Sequence, residues 1–271
     1  MHAKNHDLRR DLAALLIDID GVLYTGNEPV PGAIEAVAAL LERKIPHRYV
    51  SNSTRRSRTM VAERLRIMGF PIREEEIFTP AVAAARYLAD QKKMRAIFVT
   101  TNDVIPDFAS AGIIPVSDHV DAVIVGDADG SLTYDLLNTA FRAAMQGAQI
   151  LALEKDRFWM DTNGLSLAAG PFVTALEYAT GKNAIVIGKP SPTFFQLALS
   201  SMHVRAGETA MIGDDVHADI SGAMQYGLRG ILVRTGKFSA DVLRQSGVKP
   251  TLILDAFPAV LDLFVDTSYH T

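Results

Sequence analysis

Leu15-Leu16-Ile17-Asp18-Ile19-Asp20-Gly21-Val22-Leu23-Tyr24-Thr25-Gly26 is the stretch that decides how this chain reads. The apolar run from Ala13 to Ile17 has the composition of a strand buried on both faces of a parallel sheet, and it ends in two carboxylates one residue apart. Open α/β sheets bind ligands outside the carboxyl ends of their strands, so these acids stand where such a fold places its chemistry. In an extended chain alternate side chains point the same way, which gives Asp18 and Asp20 one shared site. Two carboxylates there repel each other unless a cation or a phosphoryl group lies between them. The plain alternative is an acidic loop in which Asp20-Gly21 marks a turn.

Working outward, apolar strand-like runs alternate with amphipathic segments along the rest of the chain, the pattern of a parallel α/β architecture. Pro31-Gly32-Ala33 opens a helix to about Lys44, and strand His47 to Val50 ends in Ser51-Asn52-Ser53-Thr54. A helix from Arg58 to Met68 stops at Gly69-Phe70-Pro71. From Pro80 onward the spacing predicts helices over 81–90, 134–146, 171–180 and 192–202, with strands over 96–100, 122–125, 150–153 and 184–187. Strand Thr209 to Ile212 then leads into Gly213-Asp214-Asp215, a helix from His217 to Tyr226 and strand Gly230 to Val233. No repeat, low-complexity segment or Pro/Gly-rich linker interrupts the series.

Composition narrows the function classes. A chain of 271 residues suggests about two domains. With 48% hydrophobic residues against 21% charged it can bury a substantial core. A net charge of -4 argues against a generally basic nucleic-acid surface. It leaves an anionic substrate open, because a bound metal ion reverses the field of an acidic site. With no cysteine the chain has no disulfide, no thiolate zinc site and no cysteine nucleophile, which fits a reducing compartment. No apolar run reaches membrane-spanning length, and the apolar stretch after Arg9-Arg10 is broken by Asp18, a poor signal peptide. A cytoplasmic protein with neither nucleic acid nor membrane among its partners is expected.

Four strand ends carry polar residues suited to phosphoryl transfer: Asp18 with Asp20, Ser51 with Asn52, Lys189, and Asp214 with Asp215. A carboxylate can take a phosphoryl group as an aspartyl-phosphate. Mg²⁺ prefers carboxylates plus a phosphate oxygen, which Asp18 and Asp214 can provide for. Lysine, hydroxyl and amide donors then hold the remaining phosphoryl oxygens. Singly, each residue has a plainer reading. Ser51 could cap a helix, Lys189 could be an exposed lysine before proline, and Asp214 and Asp215 could be helix-capping acids. Jointly, at four successive strand ends, those readings are improbable.

Asp18-Ile19-Asp20-Gly21-Val22-Leu23, Ser51-Asn52, Gly188-Lys189-Pro190 and Gly213-Asp214-Asp215-Val216-His217-Ala218-Asp219 resemble, in order, the four motifs of phosphatases of the haloacid dehalogenase superfamily. The second aspartate of the first motif marks the phosphotransfer branch. The long stretch between Asn52 and Lys189 is similar to that family's inserted α/β cap, as in its subfamily IIA. Gly170 to Ala179, Val186 to Pro192, Met211 to Asp215 and Val233 to Phe238 extend the likeness over nearly the whole chain, to a subgroup that includes phosphatases of phospholysine, phosphohistidine and pyrophosphate.

The resemblance implies a doubly wound, Rossmann-like parallel-sheet core over 1–79 and 185–271, with an α/β cap over 80–184 that selects substrates. It implies Mg²⁺ as cofactor and a small phosphorylated substrate, and it admits a homodimer through the cap. Asp18 becomes the nucleophile and a metal ligand. Asp20 becomes the general acid and base, with its backbone carbonyl on the metal. Ser51, Asn52 and Lys189 bind the phosphoryl group, Asp214 completes the metal site, and Asp215 and Asp219 belong to its outer shell. Within the cap, 158–166 is the segment expected to choose among substrates. A non-catalytic phosphate-binding protein on the same scaffold and a phosphotransferase are the competing readings.

Other features carry less. Thr235-Gly236-Lys237-Phe238 lacks the Ser/Thr and the glycine spacing of a P-loop. His203 and His217 have no second histidine at metal-ligand spacing and read as helix-surface residues. For Phe158 and Trp159 core packing is the default.

Overall fold

A computed structural model describes residues 12–161 and 164–264, so Arg9, Arg10 and positions 162–163 of the 158–166 segment lie outside the described residues. Strands β1 (Ala14–Asp18), β2 (Tyr24–Thr25), β3 (Glu28–Pro29), β4 (His47–Val50) and β5 (Ile77–Phe78) come first along the chain. They are followed by β6 (Arg95–Val99), β7 (Ile114–Pro115), β8 (Ala122–Val125), β9 (Gln149–Ala152), β10 (Phe158–Asp161), β11 (Gly164–Leu167) and β12 (Ile185–Val186). β13 (Thr209–Gly213), β14 (Arg229–Val233) and β15 (Leu252–Leu254) complete the series.

These strands fall into two units. One is built from 12–51, 62–77 and 198–264, the other from 52–61 and 78–197. The first unit holds a six-stranded sheet in the order β15-β14-β13-β1-β4-β5. All five residues of β1 are buried, as expected of a strand with parallel neighbours on both sides, β13 and β4. Helix Ala33–Glu42 buries Ala33, Ala36, Val37 and Leu40, an i, i+3, i+4, i+7 stripe. The chain leaves β1 toward β4 on one side and reaches β13 on the other. The carboxyl end of β1 is therefore a topological switch point, where doubly wound sheets bind ligands.

The second unit holds a five-stranded sheet in the order β12-β9-β8-β6-β7, and the hairpin β10-β11. Its core packs Val99, Val123, Val125 and Ala152 against Ala140, Ala144, Val173 and Leu176. The last four come from helices Tyr134–Met145 and Gly170–Thr180. Thr79 caps helix Pro80–Asp90 by accepting from Val82 N at 3.3 Å, and Thr133 caps Tyr134–Met145 by accepting from Leu136 N at 3.2 Å. The parallel α/β expectation holds in both units. Among the described residues, no helix is long and apolar enough to cross a membrane.

One expected element differs in kind. The segment read as a plain helix from His217 opens as a π-helical turn, Val216–Ser221, before α-helix Gly222–Tyr226. Ile220 N donates to Asp215 O at 3.2 Å, five residues back.

Candidate active site

Three neighbouring strands deliver the polar ends of the first unit. Register pairs Ile17 with Ile212 and Asp18 with Val50. Asp18 closes β1, Ser51 follows β4, and Asp214 follows β13, so parallel pairing alone brings them to one edge of the sheet. Asp18, Ser51 and Asp214 are 7%, 5% and 2% exposed.

Asp219 joins them. One carboxylate oxygen from each of Asp18, Asp214 and Asp219 lies within 4.8 Å of the others. The π turn explains how a residue six positions beyond the end of β13 arrives there. Asp215 caps the turn by accepting from His217 N and Ala218 N, both at 2.9 Å. Asp219 Oδ2 in turn accepts from Asp215 N at 3.2 Å, which draws its carboxylate back to the strand end. Gly213 makes room, because a Cβ there would lie 2.2 Å from Asp219 Oδ2.

The backbone around Asp214 is equally tight. Gly21 and Gly236 both have positive φ, +83° and +58°, and a Cβ on either would lie 1.9 Å from Asp214 Oδ2. Lys237 N donates to the same oxygen at 2.6 Å, and Thr235 Oγ1 donates to Gly21 O. The Thr235-Gly236-Lys237 stretch, which has no P-loop spacing, is thus a backbone cradle for Asp214. Three buried carboxylates this close repel one another, and all three offer hard oxygen ligands. That donor set fits a divalent cation such as Mg²⁺.

Asp20 stands apart from the three. β1 ends at Asp18, and the chain turns at Ile19 through Gly21 N to Tyr24 O (2.8 Å) and Leu23 N to Ile19 O (2.9 Å). Asp20 is exposed in that turn, bridges to Tyr24 and is not one of the three carboxylates whose oxygens lie together.

In the second unit, Asn52 and Lys189 form a reciprocal pair. Asn52 Nδ2 donates to Lys189 O at 2.9 Å and Lys189 N donates to Asn52 Oδ1 at 2.8 Å. Gly188 N donates to Leu153 O at 3.0 Å, and a Cβ on Gly188 would lie 2.4 Å from that oxygen. The Gly188-Lys189 backbone is therefore held from two sides, and Lys189 is only 5% exposed. The clamping role of Asn52 is invisible in the sequence, because it depends on a partner 137 positions away.

The second unit also carries a recess of about 290 Å³ that sequence reasoning missed. Arg55 Nη2 meets Asp129 Oδ2 at 2.7 Å, and Nη1 lies 3.6 Å from Asp127 Oδ2. The same guanidinium sits 5.3 Å above the centre of the Trp159 ring. Ser166, Phe172 and Leu132 also line it. The core expectation for Phe158 and Trp159 is overturned. Phe158 is 52% exposed and Trp159 half-buried, since both sit on a two-stranded hairpin that buries neither face fully. A pairing of Arg55 with acids 72 to 74 positions away left no local signal beyond the Arg55-Arg56 run. His203 and His217 are both exposed as expected, but only His217 is helical, on the π turn, while His203 lies in a turn after helix Pro192–Ser200.

Known proteins are similar to this chain over most of its length. A family model described as haloacid dehalogenase-like hydrolase matches residues 15–113, and a HAD-hydrolase-like model matches 186–260. Haloacid dehalogenase-like hydrolase domain-containing protein 2 of Bos taurus is 42% identical over 254 residues, 94% of this chain and 96% of that protein. The phospholysine phosphohistidine inorganic pyrophosphate phosphatase of Bos taurus is 37% identical over 257 residues, 93% of each. The structure of a p-nitrophenyl phosphatase from Archaeoglobus fulgidus matches with a TM-score of 0.86 at 28% identity, covering 93% of this chain and 99% of that one. The sheet order, the buried carboxylates at the switch point and these matches lead to one assignment: the chain belongs to the haloacid dehalogenase-like hydrolase family, among its phosphatases.

Proposed function

We propose that the chain is a Mg²⁺-dependent phosphohydrolase that works through an aspartyl-phosphate on Asp18. The observation that carries this reading is the group of buried carboxylates Asp18, Asp214 and Asp219, whose oxygens lie within 4.8 Å of one another. A divalent cation held there would offset their repulsion and neutralise charge on a phosphoryl oxygen. On this reading Asp219 is a candidate ligand beside Asp18 and Asp214, while Asp215 acts indirectly by capping the turn that aims Asp219.

A carboxylate oxygen of Asp18 attacks phosphorus, and the bond from phosphorus to the leaving oxygen breaks as the Asp18–phosphorus bond forms. Asp20 gives the leaving oxygen its proton. In the second half Asp20 takes a proton from the attacking water, phosphate departs and the Asp18 carboxylate is restored. Exposure of Asp20, outside the carboxylate group, suits a residue that must exchange a proton in each cycle. Ser51, Asn52 and Lys189 are assigned to the phosphoryl oxygens on the family likeness. Lys189 supplies positive charge, and Asn52 uses the amide hydrogen left over from its bond to Lys189 O.

The substrates are small phosphorylated compounds. Phosphomonoesters come first, and pyrophosphate, phosphohistidine and phospholysine are candidates through the 37% identical relative. Residues 80–184 serve as a substrate-selecting cap that admits a homodimer, and the working compartment is the cytoplasm. Phosphate release from p-nitrophenyl phosphate tests the reading. EDTA should abolish turnover and Mg²⁺ should restore it. Full activity after exhaustive chelation would contradict the metal assignment.

A further inference from the structure

A buried carboxylate that the proposed chemistry leaves unused sits just past the end of β9. Glu154 is 6% exposed. Its Oε1 accepts from Ala169 N at 2.6 Å, and its Oε2 accepts a short bond from Asp156 N. Those two N–H groups flank the segment that carries β10 and β11, so one side chain closes the neck of the hairpin. Ala169 is also the N-cap residue of helix Gly170–Thr180 and has no capping side chain, so Glu154 satisfies a backbone donor at that terminus. The neck has no slack: a Cβ on Gly170 would lie 2.3 Å from Asp156 O. Beside it Lys155 Nζ pairs with Glu177 Oε2 at 2.6 Å.

Beyond the neck, Trp159 pairs with Ser166 across the hairpin, and both line the recess. An isolated two-stranded hairpin is marginally stable, so the attitude of this one depends on how its base is tied. Glu154 also lies close enough to the recess for the Asp127 charge to reach it. Burial raises its carboxyl above the usual range, and Asp156 and Asp127 push the same way against its two N–H donors. The neighbouring Leu153 O to Gly188 N bond is backbone only, so replacing the Glu154 side chain leaves that support of Lys189 in place.

We propose that Glu154 is a positioning residue for substrate choice, fixing Trp159 against the recess and so setting the affinity for the non-phosphate part of the substrate. This rests on the reading that the 158–166 segment selects substrates. The recess offers the Trp159 and Phe172 rings, and its carboxylates Asp127 and Asp129 outnumber Arg55. A flat group that is neutral or cationic suits it, and an anionic one does not.

Trp159 is the single tryptophan of the chain, so intrinsic emission reports on the hairpin directly. Two variants, Glu154→Gln and Glu154→Ala, would be compared with wild type on p-nitrophenyl phosphate and methyl phosphate, whose leaving group is too small to fill the recess. Losing one buried hydrogen bond at the neck should raise KM for the aromatic ester roughly five- to tenfold in Glu154→Gln and further in Glu154→Ala. KM for methyl phosphate and kcat for both esters should stay within about twofold, because the Lys189 turn keeps its backbone support. Trp159 emission should shift red and become easier to quench with acrylamide. Unchanged emission together with an unchanged ratio of the two KM values would overturn the inference, and so would an equal rise on both esters. If circular dichroism shows either variant unfolded, Glu154→Asp, too short to reach both N–H groups, carries the same test. An inactive wild type would sink the phosphatase reading, whereas an active wild type with indistinguishable variants would sink only the role of Glu154.

Discussion

The strand-end carboxylates of the first unit and the recess of the second are built from similar residue types but supported in opposite ways. Asp214 is gripped by backbone, between two glycines and the Lys237 N–H, and Asp219 is drawn in by Asp215 N. In the recess, Arg55 and Asp129 hold each other through side chains that are 37% and 67% exposed, with Trp159 presented from a hairpin. A backbone-held group cannot be re-aimed without disturbing the sheet. A side-chain-held one can change with a single substitution while the sheet stays put. The division suits an enzyme whose phosphoryl chemistry is fixed and whose choice of substrate is adjustable, since fold and specificity are separable properties.

That contrast breaks most sharply at Asp18. Asp18→Asn should lower kcat by about three orders of magnitude or more on every phosphate ester, with the fold intact. A substrate-dependent loss would mean that the strand end also discriminates. At the cradle, Gly236→Ala should cost roughly 1–3 kcal/mol of stability, because its Cβ would lie 1.9 Å from Asp214 Oδ2 at a φ of +58°. Weaker Mg²⁺ binding should accompany that loss, read by calorimetry. A melting temperature and metal affinity equal to wild type would show that the grip on Asp214 is not rigid.

In the other region, Trp159→Leu should change kcat/KM for aromatic against alkyl phosphates by roughly three- to tenfold while leaving Mg²⁺ affinity alone. Uniform loss across a substrate panel would erase the distinction between the regions. The smallest effect concerns His47, in β4 beside the site strand. Burial holds its pKa below the usual 6.5, outweighing the Ile45 carbonyl and Glu76, which raise it. The unfolded chain therefore binds a proton that the folded one resists. Stability from neutral His47 is complete above pH 6.5 and is lost as pH falls toward the lower folded-state pKa. Thermal melts across that window should slope less in His47→Gln than in wild type, and equal slopes would show that His47 titrates normally.

Legibility in the sequence followed burial. β8 was readable to the residue because it is a short apolar run, Ala122–Val125, and β4 because His47-Arg48-Tyr49-Val50 stands between the Pro46 break and the turn chemistry of Ser51-Asn52. Hairpin β10-β11 was not, because Phe158, Met160, Leu165 and Leu167 are apolar yet all more than half exposed, so their spacing records no core. The π turn left no trace either, since a bond five residues back has no propensity signature. Asp18 and Asp214 could be placed by their positions at strand ends. Asp219 was assigned to the outer shell on the family resemblance, and the folded chain brings one of its carboxylate oxygens within 4.8 Å of one from each of Asp18 and Asp214. Arg55 escaped notice because its partners are distant in sequence, the usual fate of a residue whose role exists only after folding.

Asp20→Asn isolates the step in which Asp18 itself becomes phosphorylated. A nitrophenolate leaves without needing a proton, so this variant should still load Asp18 from p-nitrophenyl phosphate but hydrolyse the adduct slowly. Rapid quench into acid followed by peptide mass spectrometry should find one phosphoryl group on the peptide containing Asp18, with a nitrophenol burst near one equivalent per active site. Phosphate released with no burst, and no phosphoryl group on that peptide at any quench time, would contradict the account.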